Sequence, residues 1–372
     1  MTQPSPLHIE RGVCYALFAY DVALSITLDE AERQITALTQ RETIRHKRPA
    51  PTYFEYRPAP VRVTDNATPL IIGRYVTDPS VDLVLYDFGA VSVVYRIPFT
   101  GPLSDLLTLS YDLYDNALLL DDARKHVEDL CGAMPRALSR PGIAEFVEDY
   151  VIFQIETFAP PCTVDTLGTT YAQEIAQLLR AERQTLSAQE VQDVLSHRLS
   201  FGSDDMTIVD WHAALLYDRE GDDVRAVLEF ANVELLELRY LDQRLDDALD
   251  RSYEVLSRRL WAPLRVLGSY RADLRQVAQM QVDSAILFEG VNNALKLLGD
   301  QYLARVYRAV SQRFHLAEWD ASILRKLQTL ESIYEKMADQ AANHRMEVLE
   351  WIIILLLAAS LILPFVTGMP GY

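Results

Sequence analysis

The side chains able to do chemistry are scattered along this chain, and the densest group is basic. Arg41, Arg45, His46, Lys47 and Arg48 lie close together and end at Pro49 and Pro51. Clustered cations of this kind can hold a phosphate backbone or anionic lipid headgroups. The same residues also suit a solvated helix end, where cations favour the C-terminal dipole and proline stops the helix. Arg41, Arg45, Lys47 and Arg48 are therefore the candidate contact for lipid or RNA. Asp87-Phe88-Gly89 spells the kinase metal-binding triplet, but the glycine-rich, H-R-D and A-P-E motifs are missing, so it reads as turn chemistry. The acidic run from Asp218 to Asp223 lacks the spacing and terminal Glu of a calcium loop. Asp222 as a helix N-cap, with Asp223 in the first turn, accounts for it. His212 beside Trp211 has no second His or Cys at ligand spacing, which favours a satisfied core histidine.

Recognisable catalytic signatures are missing: no G-x-G-x-x-G after a strand, no G-x-x-x-x-G-K-[ST], no H-E-x-x-H and no G-x-S-x-G. The expectation is a non-enzymatic protein with no catalytic residue, metal ligand or cofactor. Acidic residues outnumber basic ones 53 to 35, for a formal charge of -18. Such a balance disfavours general nucleic-acid coating, because phosphate binding is driven by counterion release at Lys and Arg clusters. No specific DNA binding is expected. Cys14, Cys131 and Cys162 are odd in number and widely spaced, which argues against a disulfide framework and for a reducing compartment.

The elements that must position these residues come in two styles. Val13–Tyr20 is a short aromatic, apolar run suited to a buried strand. Tyr53–Thr64 alternates aromatic and branched residues and reads as another. Val81–Tyr86 and Ala90–Ile97 read as a hairpin around Gly89, which is free to take a positive φ. Helix is expected over 103–133 and from about Asp165 to Arg183, with a strand from Tyr150 to Phe158 between them. Met206–Tyr217 is the last strand candidate. From Val224 onward the pattern is helical, with Pro263 opening the second of three long helices. At 372 residues and 49% apolar content, two domains with a packed core are expected.

In the last helix Ile323, Leu327, Leu330, Tyr334, Met337, Ala341, His344, Val348 and Trp351 alternate spacings of four and three. That period reads as a coiled-coil seam, either between subunits or within an antiparallel bundle. The seam feeds into an apolar run from Val348 to Val366, interrupted once by Glu350, whose helical length matches a hydrocarbon core. Met1–Arg11 carries no secretory or mitochondrial signal, so membrane attachment is expected from the C-terminus alone. Arg345, Glu347, Glu350 and Trp351 would mark the membrane interface. Cations precede the run and none follows it, which puts the large domain in the cytoplasm and the protein in the inner membrane as a single-pass span.

Three stretches in order, "LVLYDFGAVSVVYRI" (83–97), "LEFANVELLELRYLDQRLDDAL" (228–249) and "HRMEVLEWIIILLL" (344–357), resemble the domain-of-unknown-function 155 family, which includes the required-for-meiotic-nuclear-division proteins. The resemblance implies a C-terminally anchored homo-oligomer of bacterial type, with a protein or ribosomal partner, and no catalytic residues to carry over. A second likeness, to magnesium channels of the CorA type, rests on Gly368-Met369-Pro370 after the apolar run, with Pro370 in place of the motif's asparagine. The expected fold is α+β. An N-terminal α/β domain with a mixed or antiparallel sheet (1–217) is followed by a long-helix stalk (218–346), a transmembrane helix (347–367) and a short tail (368–372). The expected function is a membrane-anchored oligomeric scaffold, with a divalent-cation channel as the alternative.

Overall fold

The computed structural model describes residues 7–39, 58–260 and 301–367, with isolated positions between 275 and 285. It divides into two compact units, residues 1–241 with 287–320, and residues 242–286 with 321–372.

The first unit is built on one eight-stranded sheet. Strand β1 (His8–Asp21) lies inside it, paired antiparallel with both β7 (Ala90–Pro102) and β9 (Val147–Phe158). From Cys14 to Asp21 every β1 side chain is buried. Burial on both faces explains why the stretch is continuously apolar instead of alternating. On the β7 side follow β6 (Ser80–Leu85) and β3 (Val61–Asn66). On the β9 side follow β12 (Ala213–Tyr217), β11 (Met206–Val209) and β10 (Arg198–Leu199). Only the β9–β12 pairing is parallel, so the sheet is mixed. Short pairs of β2 (Ala23–Ile26) with β8 (Leu138–Pro141) and β4 (Ile71–Ile72) with β5 (Tyr75–Val76) lie outside it.

One face packs into the main core. Ala16, Phe18 and Tyr20 of β1, Val93 and Tyr95 of β7, and Phe153 of β9 contribute to it. So do helices α1 (Leu28–Thr39), α2 (Leu106–Leu113), α3 (Ala117–Ala133), α4 (Val164–Thr169), α5 (Ala172–Leu179) and α6 (Ala188–Ser196). Asn116, Thr163 and Ser187 cap α3, α4 and α6 by accepting from backbone N–H groups. The opposite face, through Ala19, Val84 and Ala90, takes Phe230, Val233 and Leu236 of α7 (Asp222–Leu260). Helix α8 (Gln301–Arg313) belongs to the same unit, and Phe314 just beyond it packs edge-on against Tyr150 of β9. Gly89, at φ 109, closes the β6–β7 hairpin so tightly that a Cβ there would collide with the Ala23 carbonyl.

The structure corrects several expectations. Met206–Tyr217 is two strands, β11 and β12, folded about Asp210-Trp211-His212. Helix α7 opens at Asp222 itself, so Asp222 lies in the first turn and not at the cap; its carboxylate pairs with Arg225 instead. The expected fold of an α+β domain, stalk and transmembrane helix gives way to a mixed α/β fold with a large sheet, on which the first part of α7 packs directly. The last helix is α9 (Leu316–Thr367). Among the described residues no helix is long and apolar enough to cross a membrane. This overturns the transmembrane segment 347–367 and the single-pass inner-membrane location. It also removes the footing of the channel reading, whose Gly368-Met369-Pro370 lies outside the described residues.

Candidate functional site

Apart from His212, the polar residues that the fold draws together are not those the sequence singled out. At the β11–β12 turn, Asp210 is fully buried. Its carboxylate accepts from Arg180 Nε at 3.1 Å, just past the end of α5, and from Arg313 Nε at 2.5 Å, at the end of α8. It also accepts from the Trp211 backbone N–H at 2.8 Å. Arg180 and Arg313 both reach Asp193 of α6, at 2.7 and 2.8 Å, and Arg180 also pairs with Glu190. Two guanidinium groups shared among three carboxylates tie α5, α6 and α8 to one turn. Paired charges of this kind repay part of their desolvation, whereas an unpaired one would not.

Next in the same turn, His212 is 5% exposed. Its ring packs against Tyr114, centroids 5.0 Å apart, and against Trp211 at 5.6 Å. The Nε2 atom is buried with no hydrogen-bond partner among the described residues, which departs from the expectation of a satisfied core histidine. Burial pushes the imidazole below its ordinary titration range, while Asp149, Asp115 and Asp210 pull it the other way. Asp149 of β9 is itself raised, chiefly by burial, with His212 opposing. At neutral pH His212 is accordingly neutral, able to accept at one ring nitrogen.

A second set lies on α7, where every residue from Val227 to Leu238 is buried. Glu229 pairs with Arg62 of β3 at 2.8 Å, and Arg62 also holds Asp82. Glu234 accepts from the Tyr307 hydroxyl of α8 at 2.7 Å, and burial pushes its carboxyl up to about 8. Among the described residues neither oxygen of Glu237 has a hydrogen-bond partner; burial, then the charge of Asp21, raises it well above the usual carboxylate range. Glu148 of β9, pushed up to about 7 by burial, is paired with Arg239, which also lies over the Phe146 ring. Among the described residues no group of three or more His, Cys, Asp or Glu is placed to hold a metal ion.

Of the residues expected from sequence, Arg41, Arg45, Lys47 and Arg48 lie outside the described residues. Ile323 and Leu330 are buried within the chain itself, and Leu327 and Tyr334 are half-buried. In that second unit Lys326 of α9 pairs with Asp242 and Asp246 of α7, each at 2.7 Å. The side chains of Met337, Ala341, Arg345, Glu347 and Val348 lie outside the described ones, while Glu350 and Trp351 are exposed. The His212 turn went unnoticed because apolar runs flank it on both sides. The signal was there in Asp210, a charge in the middle of what otherwise read as one buried strand.

The family model described as the N-terminal domain of uncharacterized protein MJ0711 matches residues 11–223. A protein of Methanocaldococcus jannaschii, described as uncharacterized protein MJ0711, is 20% identical over 292 residues, covering 77% of this chain and 83% of its own. No solved structure matches. The chain therefore belongs to the MJ0711 N-terminal-domain family, whose description names no activity, ligand or partner. The matches correct the resemblance to the domain-of-unknown-function 155 family, to which nothing points. A hairpin, an amphipathic helix and an apolar helix recur in many folds, and their order alone was not discriminating.

Proposed function

We propose that this member of the MJ0711 N-terminal-domain family is a non-enzymatic scaffold that associates with copies of itself through the end of α9. One observation carries the reading. Trp351, Ile352, Ile353, Ile354, Leu355, Leu356 and Leu357 are consecutive on the helix and all substantially exposed. Seven residues turn nearly twice around a helix, so no polar face remains to meet water. Contiguous apolar surface of this kind marks an interaction site. Each half-exposed side chain still has about 1 kcal/mol to gain from burial, roughly 7 kcal/mol per chain and twice that per pair. Association costs about 4–15 kcal/mol, so the gain is of the right size.

The non-enzymatic part is supported by how the buried polar groups are spent. Asp210 is held by two arginines, Glu229 by Arg62 and Glu234 by Tyr307, each joining two elements of the fold. Light scattering on the full chain, beside the double variant Ile353→Lys/Leu356→Lys, tests the association. The native chain should give a defined multimer and the variant a smaller mass with unchanged circular dichroism. A monomeric native chain, or a variant of unchanged mass, would refute it.

A further inference from the structure

Among the described residues β3 is the last strand on the β7 side of the sheet, and beyond its ladder to β6 it is fastened on both faces. Successive side chains of a strand point to opposite faces, so Arg62 and Thr64 lie on one and Asp65 on the other. On the first face Thr64 donates to Asp82 at 2.6 Å, and Arg62 pairs with Asp82 and with Glu229 of α7. A guanidinium keeps its charge across the neutral range. The second face is held differently. Asp65 Oδ2 lies 3.1 Å from Nδ1 of His126 on α3. The other ring nitrogen, Nε2, lies 3.5 Å from Oδ2 of Asp122, one turn earlier on the same helix. The Tyr95 hydroxyl of β7 donates to that same Asp122 oxygen at 2.8 Å.

Both nitrogens of His126 thus face carboxylates, and its side chain is only 14% exposed. A neutral imidazole carries one N–H and one lone pair, so it must turn the lone pair toward one of the two carboxylates. The imidazolium offers an N–H to each. Asp129, one turn further along α3, is a third carboxylate acting on the ring, and β7 presents the Tyr95 hydroxyl. We infer that His126 is a proton-operated clasp that fastens the C-terminal end of β3 to α3, closed while the ring is charged and loosened when it loses its proton. The Asp65 hydrogen bond leads in raising the titration of the ring above its ordinary value, against the opposing effect of burial. The folded chain therefore holds the proton more tightly than the unfolded one. The fastening is fully present below about pH 6.5 and is lost as the pH rises through the raised folded value. The same hydrogen bond lowers the Asp65 carboxyl, so at the acid end the clasp loosens only as the pH falls through that lowered value. Release leaves β3 held by its ladder and by Arg62, and its far end opens locally. Opening there bares the backbone groups of Ser80–Asp82 on β6, which makes the clasp a guard on the sheet edge.

The test uses the full native chain. Proton NMR of the His126 Cε1–H resonance against pH gives its midpoint, and the loss of that resonance in His126→Gln assigns it. Hydrogen exchange of a peptide over 61–66, as protection factors freed of the intrinsic hydroxide dependence, gives the opening of β3. The midpoint should lie above about 6.5. Protection of β3 should fall about two- to fivefold between about pH 6 and 8.5, the worth of one partly exposed ion pair, relative to β1 amides that report the whole sheet. His126→Gln keeps a polar donor without a charge, so its β3 should exchange at both pH values as the native chain does at the higher one. Asp65→Asn, at a half-exposed carboxylate, spares the core and should lower the His126 midpoint. A midpoint at or below about 6.5, one unmoved by Asp65→Asn, or β3 protection that follows pH no more than that of β1, overturns the clasp. None of these readouts depends on the association of α9, which is read by mass.

Discussion

Replacing Glu234 with glutamine should make the protein less sensitive to alkali. The side chain is 1% exposed on α7, its carboxylate accepts from the Tyr307 hydroxyl, and burial raises its carboxyl from 4.5 to about 8. In the unfolded chain the group ionises near 4.5, while in the folded chain it stays protonated to about 8. The folded state therefore holds a proton that the unfolded state releases. Stability from this group is fully present below pH 4.5 and is lost as the pH rises through about 8. The gap of about 3.5 at roughly 1.4 kcal/mol each sets an upper bound of about 5 kcal/mol. Glutamine has the same shape and no proton to lose. Urea denaturation midpoints of native chain and Glu234→Gln, measured across that range, should agree at the acid end and diverge progressively toward alkali, with glutamine the more stable. Glu237 and Glu148 are also raised, so both chains lose stability with pH, and only the difference isolates Glu234. Parallel curves would refute the buried neutral carboxyl. Tyr307→Phe should push the Glu234 titration higher still, since the hydroxyl hydrogen bond favours the ionised form.

Other perturbations follow from the same packing. Asp210→Asn leaves two guanidinium groups facing a neutral amide and should cost about 3 kcal/mol, the lower end for breaking a buried pair, read as a lowered thermal midpoint. Combined with Arg313→Met, the double variant should recover part of that loss, and strict additivity would count against direct coupling. Gly89→Ala combines a φ of 109 with a collision against the Ala23 carbonyl and should destabilise by more than about 1 kcal/mol in the same assay.

What could be seen in the sequence was local. The β6–β7 hairpin announces itself through two β-branched arms around a residue able to take a positive φ. Strands β1 and β9 announce themselves through aromatic and branched runs. The β11–β12 turn did not, because Asp210-Trp211-His212 contains no Gly, Pro or Asn to punctuate it. Its partners Arg180 and Arg313 are 30 and 103 residues away from Asp210, a juxtaposition no spacing rule reports. The buried glutamates of α7 were more nearly readable. Between Val227 and Leu238 apolar residues occupy most turns of the helix on every side, so a glutamate there has no wet face to choose. At the C-terminus an apolar run was read as a span from its composition. Among the described residues no helix is long and apolar enough for that, and composition alone does not say what covers an apolar helix.

The position of β1 has a consequence for how the protein is made. It is the earliest described strand in the chain, yet it stands between β7 and β9, whose last residue is Phe158. During synthesis at about 5–20 residues per second, roughly 7–27 s pass between the emergence of β1 and the completion of its second neighbour. Throughout that interval a fourteen-residue strand, buried on both sides from Cys14 onward, has at least one open edge. The nascent chain must be shielded before the sheet can close.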